Sequence, residues 1–381
     1  VGTNSAVNQS GETYVAYLFG HNEEVFGTKG DASIIKCDSY TGNGSSTGPV
    51  INLGWEPQYL LIKRAVDNNG GWYLWDALRG VVTDGNDRRL RVDTGSRDDE
   101  ESIDFLEFTS TGFRIGSTNA AVNTNNETYI YIAIRRPDGY VGKPITTATD
   151  VFTMDTGAST GDFVPNYDSN FPVDFALNRQ PASTRTWKTS ARLMEQHYVL
   201  TDESGAEADW TEGRFDYSKG YCVDNRNSSY MAWMWRRHAG FDVVAYQGTG
   251  SARTVNHSLG EVPEMIWVKN RTSAVSWAVY HFGLNGGTDP ADYGLTLDTS
   301  AAELNNSGMW NDTAPTKTVF TVGTASRCNN NTNQHIAMLF RSVDSISKCG
   351  FYDGQGSNLT ITTGFQPRFL IIKRTTGADP W

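Results

Sequence analysis

The sequence predicts an all-β fold made of tandem antiparallel β-sandwich repeats. Two observations carry the prediction. A proline-to-tryptophan spacing recurs four times along the chain, and short apolar runs are fenced by Gly, Pro, Asn and Asp throughout. Abundant glycine (38 residues against 12 prolines) supplies the turn chemistry that many short strands require.

The repeat sets the organisation. One block reads Tyr40-Thr-Gly-Asn-Gly, Gly54-Trp-Glu-Pro57, Gln-Tyr-Leu-Leu-Ile-Lys63-Arg64, then Trp72. A second reads Tyr246-Gln-Gly-Thr-Gly, Gly260-Glu-Val-Pro263, Glu-Met-Ile-Trp-Val-Lys269, then Trp277. A third reads Tyr352-Asp-Gly-Gln-Gly, Gly364-Phe-Gln-Pro367, Arg-Phe-Leu-Ile-Ile-Lys373-Arg374, then Trp381. A fainter copy holds Pro172, Asn178-Arg179 and Trp187. The prolines are 115, 91 and 104 residues apart, the tryptophans 115, 90 and 104.

A second half-motif also recurs. Asn119-Ala-Ala-Val-Asn123 and Glu127-Thr-Tyr-Ile-Tyr131 are echoed by Asn4-Ser-Ala-Val-Asn8 and Glu12-Thr-Tyr14-Val-Ala-Tyr-Leu-Phe19. Related tails end at Arg236 and Arg341. The predicted boundaries follow: residues 1–33 as the second half of a preceding repeat, 34–148 as one sandwich, 149–240 as a diverged sandwich, 241–345 as a third, and 346–381 as the first half of a following repeat. That phase reads as an excerpt of a longer array. A cleaved fragment, or a domain completed by a neighbouring chain, is the alternative.

Each recurrent run has strand length and lacks helical periodicity. The prolines precede the runs, where no ladder donor is lost. Residues 185–195 are the one candidate for a helical turn. Positions repeated in every unit serve the common fold. Pro57, Trp72, Pro172, Trp187, Pro263, Trp277, Pro367 and Trp381 are therefore expected as structural anchors. Lys63-Arg64, Lys373-Arg374, Arg135, Arg236 and Arg341 are expected as solvated strand ends or structural ion pairs.

A net charge of −11 disfavours nucleic acid and anionic membrane surfaces as partners. No apolar stretch reaches 18 residues, so no membrane insertion is expected. Cys37, Cys222, Cys328 and Cys349 show no metal or disulfide spacing and are expected as free, mostly buried thiols.

The motif set, from Tyr-x-Gly-x-Gly through the Pro-led apolar run to Glu-Thr-Tyr-Ile-Tyr, resembles repeat domains of tail-fibre-like virion proteins from marine tailed phages. The likeness is strong at 1–20, 36–137 and 346–381, fair at 241–343 and poor at 149–238. It implies concanavalin A/SPRY-like sandwiches and a structural or receptor-binding role, and it carries no catalytic residue across.

No catalytic, metal or cofactor motif emerges from the residues themselves. The acidic run 98–101 beside Arg97 reads as a solvated loop. Glu203, Glu207, Asp209 and Glu212 cluster near Trp210, the only hint of a glycan-cleaving pair. Asp84 to Asp87 lacks the alternation of a calcium loop. The six histidines form no ligand pattern, and Gly42-Asn-Gly44 is a turn rather than a phosphate cradle. Trp75, Trp210 and Trp310 are the irregular tryptophans and the candidate carbohydrate-binding residues. The expectation is a non-catalytic fibre or appendage protein on the virion surface. Its expected partners are other virion proteins, copies of itself and a host-surface glycan. A secreted cellular adhesin or lectin is the runner-up, ahead of a glycan-degrading tailspike enzyme.

Overall fold

The computed structural model describes residues 1–27, 29–66, 70–81, 85–96, 99–100, 103–142, 145–158, 164–194, 196–210, 213–223 and 227–381. The fold is nearly all β and sandwich-like, and among the described residues the named strands pair antiparallel. The first unit holds β1 (Ile35–Thr41), β2 (Val50–Asn52), β3 (Pro57–Arg64), β4 (Trp72–Asp76), β5 (Arg88–Arg91), β6 (Asp99–Glu100), β7 (Leu106–Thr109), β8 (Gly112–Ile115) and β9 (Thr128–Arg135). The second holds β10 (Phe152–Thr156), β11 (Phe175–Arg179), β12 (Lys188–Ala191), β13 (His197–Leu200), β14 (Ala208–Asp209) and β15 (Met231–Trp235). The third holds β16 (Phe241–Gln247), β17 (Arg253–Asn256), β18 (Met265–Asn270), β19 (Ala278–His281), β20 (Tyr293–Gly294), β21 (Leu304–Asn305), β22 (Val319–Val322) and β23 (Gln334–Phe340).

One topology recurs. In the main sheet of each unit the last strand lies between the first and a middle one: β9 between β1 and β3, β15 between β10 and β11, β23 between β16 and β18. A unit therefore closes only when its C-terminal strand arrives. The facing layer is β2-β8-β7 in the first unit and β17-β22 in the third. In the second unit, among the described residues, it is reduced to bridges such as Tyr167–Tyr221 and Arg214–Cys222.

Strand alternation divides the apolar residues between faces. Leu60, Ile62, Trp75, Phe113, Tyr129 and Tyr131 fill the first sandwich. The main sheet of the third unit is buried on both sides. Val244, Ile266, Ala278 and Leu339 face its own sandwich core. Val243, Trp267, Val279 and Met338 face outward, into a second core shared with Phe175, Leu177 and Val199 of the second unit. Trp277 Nε1 donates to Leu200 O across this interface at 2.8 Å.

The recurring tryptophan thus packs on the outer face of the sheet. Trp277 lies in the shared core, Trp187 and Trp381 pack against it, and Trp72 is half-buried. Trp187 also meets Trp233 at 5.1 Å. The recurring lysine is a hairpin tie rather than a solvated end. Lys63 Nζ donates to Gly70 O, and buried Lys269 donates to Val275 O at 2.5 Å and Ser204 O at 2.9 Å. Burial lowers the pKa of Lys269 to about 8.

The three units meet at a buried ionic cluster. Arg237 Nη1 lies 2.6 Å from Glu56 Oε1, and Arg136 Nη2 lies 3.3 Å from Asp242 Oδ1. Asp174 accepts from the Arg237 backbone N–H at 2.7 Å and pairs with Arg192 at 3.3 Å. Burial opposes the charge on Asp174, but Arg192 and Arg237 outweigh it and hold its pKa low.

Three expectations are narrowed or corrected. The helical turn expected within 185–195 is confined to one 3-10 turn, Arg192–Met194, which follows β12; Glu195 lies outside the described residues. Among the described residues the half-motifs at 1–33 and 346–381 form no named strand, and the first half pairs with itself only at the Phe26–Ala32 bridge. Third, Trp75, Trp210 and Trp310 cannot stack on a sugar, because each is buried to 4% exposure or less. Trp75 packs on Phe105, Trp210 on Tyr198 and Trp310 on Tyr280, one inside each sandwich. All four cysteines are free thiols, with Cys222 and Cys328 buried.

Candidate functional site

The second unit departs from its sisters at one structurally telling place. Six residues after the recurring proline, the first and third units carry Lys63 and Lys269, whose stems cross to tie the next hairpin. The second unit carries Asn178 there. Its short side chain turns inward instead, donating to Tyr167 Oη at 2.9 Å and Met231 O at 3.4 Å. The mouth of the β11–β12 hairpin is left open as a depression lined by Asn178, Arg179, Gln180, Arg185, Thr186, Lys188 and Tyr230.

Three of the seven lining residues are cationic and none is acidic, against a chain whose net charge is −11. The Arg179 guanidinium lies 4.8 Å from the centre of the Trp187 ring, which fixes its plane while its Nε keeps no hydrogen-bond partner. The Lys188 ammonium is held over Tyr198 and Trp210 at 4.5 and 4.7 Å. Gln180 Nε2 reaches Ser229 Oγ at 3.3 Å. The arrangement suits an anionic, hydroxyl-rich ligand: fixed positive charge, amide and hydroxyl hydrogen-bonding groups, and a shallow mouth.

The acidic residues near Trp210 do not form a cleft. Glu207 bridges to Arg271 of the third unit at 2.7 Å, and its backbone N–H donates to Arg271 O at 2.8 Å. Asp209 pairs with His197 at 3.4 Å, and Glu203 is exposed. Asp87 is buried and accepts from the backbone N–H groups of Phe105 and Leu106 at 2.7 and 2.9 Å. Asp84, Arg97, Asp98, Glu101 and Glu212 lie outside the described residues. Among the described residues no group of three or more His, Cys, Asp and Glu is placed to hold a metal ion. None of their helices is long and apolar enough to cross a membrane.

Sequence reading missed Arg179, Arg185 and Lys188. The available signal was Asn178 in the place of lysine with three cations in the ten residues that follow.

A family model described as a domain of unknown function (DUF7483) matches residues 1–136 and 209–381. The three cations of the depression, Arg179, Arg185 and Lys188, fall in the stretch between those two matched segments, and Tyr230 falls in the second of them. No curated protein matches the chain.

Proposed function

The chain belongs to the family described as a domain of unknown function (DUF7483), and from the cationic depression and the repeat resemblance we propose that it is a non-catalytic virion appendage protein attaching to host-surface acidic glycans. The cationic depression of the second unit carries the reading. The common fold is scaffold, and a site is sought where one unit has left the common pattern. Here the departure from lysine to asparagine at position 178 coincides with a concave, cation-lined surface. The resemblance of the repeats to tail-fibre-like virion domains supports the appendage role. Weak single sites sum to useful avidity when several copies are displayed together.

The test is binding to an immobilised acidic polysaccharide, with neutral dextran as control. The double variant Arg179→Ala/Arg185→Ala is expected to weaken binding at least about tenfold, the equivalent of about 1.4 kcal/mol. Wild-type binding is expected to fall with added salt as the charges are screened. Equal binding by wild type and variant would remove the depression from consideration. Immunogold imaging of native particles tests the location, and label confined to cell surfaces would replace the virion reading with the adhesin one.

A further inference from the structure

We propose that the hairpin mouth of the second unit is a vacated unit-to-unit joint, in which a carboxylate-bearing saccharide takes the place that a neighbouring unit's acidic loop fills elsewhere. This deepens the acidic-glycan reading of the same depression and rests on it.

The joint is made twice in the chain, with the same atoms each time. Between the second and third units, Lys269 Nζ donates to Ser204 O at 2.9 Å, Trp277 Nε1 to Leu200 O at 2.8 Å and Glu207 N to Arg271 O at 2.8 Å. Between the third unit and the segment that follows it, Lys373 Nζ donates to Ser300 O at 2.9 Å, Trp381 Nε1 to Thr296 O at 2.9 Å and Glu303 N to Thr375 O at 2.7 Å. From one joint to the other every loop residue shifts by 96 positions and every receiving residue by 104. The loops read Asp202-Glu-Ser204-Gly-Ala-Glu207 and Asp298-Thr-Ser300-Ala-Ala-Glu303. Each is presented by its aspartate, whose Oδ1 accepts from the backbone N–H of Trp187 or Trp277 at 3.0 Å.

The receiving side has two parts. The lysine six residues after the recurring proline holds a loop carbonyl, and its stem crosses the hairpin to reach Val275 O or Gly377 O. In the first joint a cation two residues further on holds the loop's carboxylate: Arg271 Nε donates to Glu207 Oε2 at 2.7 Å. The seat thus reads a carbonyl oxygen and, three residues along the loop, a carboxylate.

In the second unit the lysine is replaced. Asn178 spends its side chain inward, on Tyr167 and Met231, so the ammonium that both seats use is absent and a loop of the same kind has nothing to hold it there. The tryptophan of the seat is also diverted, since the Arg179 guanidinium lies 4.8 Å from the centre of the Trp187 ring. Positive charge, by contrast, is kept and enlarged at Arg179, Arg185 and Lys188. A mouth that has lost its loop-holding lysine and kept its cations suits a free carboxylate. A guanidinium held flat over a ring matches the plane of a carboxylate better than a tetrahedral sulfate ester. Uronic and sialic residues carry that group beside hydroxyl oxygens, which stand in for the loop's carbonyl.

The test measures binding of the full chain to immobilised polygalacturonate and to dextran sulfate of matched charge density, with neutral dextran as blank. Polygalacturonate is expected to bind at least about tenfold more tightly than dextran sulfate. Asn178→Lys adds a positive charge, yet it is expected to weaken polygalacturonate binding at least about tenfold, because the restored stem crosses the mouth as it does in the first and third units. Attraction by charge alone predicts the opposite sign. The polymer comparison needs no variant, so it decides the matter even where Asn178→Lys fails to fold. Dextran sulfate bound as tightly as polygalacturonate, or a folded Asn178→Lys that binds at wild-type strength or better, would overturn this proposal and leave the acidic-glycan reading standing. Binding to neither polymer would remove both.

Discussion

Glu56→Gln is expected to destabilise the assembled units by about 3–5 kcal/mol, the cost of leaving a buried partner charge uncompensated. Glu56 accepts from Arg237 at 2.6 Å and lies 3.4 Å from Arg136 Nε, with all three side chains at the junction of the units. Burial works against the charge on Arg136, but Glu56, Asp242, Asp138 and Asp174 together outweigh it and raise its pKa. Glutamine keeps the shape and an acceptor oxygen but removes the charge, which leaves Arg136 and Arg237 sharing the Asp242 carboxylate as their close ion-pair partner. The first transition of a urea titration reads the loss. Arg237→Met in the same chain is expected to return part of it, because the unpaired cation is gone. A shift below about 0.5 kcal/mol in the single variant would mean that the cluster contributes little to docking the units.

Acidification from pH 7 to 4.5 is expected to cost about 5 kcal/mol of stability through His238 and His335 together. Each has its pKa lowered to about 4, chiefly by burial. Geometry gives the same sign. Nδ1 of His238 accepts from Gly240 N at 3.0 Å, and Nε2 of His335 accepts from Asn330 N at 3.4 Å. Protonation would set two donors face to face. A folded pKa below the unfolded one means that the stability is present above about pH 6.5 and is lost as pH falls toward 4. His257 and His281, also lowered by burial, act in the same direction. Nearby Asp174, held low, extends the loss into the carboxylate range. His335 stacks on Tyr246 at 5.2 Å just as Tyr129 stacks on Tyr40 at 5.1 Å, so His335→Tyr borrows the sister unit's residue. It is expected to flatten the pH dependence, read as unfolding midpoints between pH 4.5 and 8. A wild-type midpoint constant over that range would sink the histidine account.

The repeat was legible because a shared fold imposes shared side chains at fixed spacing. The strand runs of the all-β fold followed from it, while the free thiols followed from the lack of any disulfide or metal spacing. What recurrence could not say was which face of the sheet a residue takes. Trp72 and Trp75 differ by an odd number of positions, so alternation sends them to opposite faces. That parity was a sign that Trp75 fills the sandwich and Trp72 does not. Irregular tryptophans were read as free for a ligand. They are instead the fillers of three cores with different shapes. Glu56, Arg237 and Asp242 carry no motif, and Glu56 and Arg237 are 181 positions apart. Only folding brings them together. The half-motifs were visible as sequence but not as conformation, since a lone strand has no ladder of its own.

The doubly buried sheet of the third unit has a consequence for how such chains diversify. A crossover between genes that fell at 236–240 would separate β15 from β16. The outward set Phe241, Val243, Trp267 and Met338 would then meet whatever unit the other parent supplied. Most such partners would not fit. The second and third units are therefore expected to be inherited as a linked pair. Apart from Trp187, which packs against that core, the hairpin mouth at 178–188 stands outside the constraint.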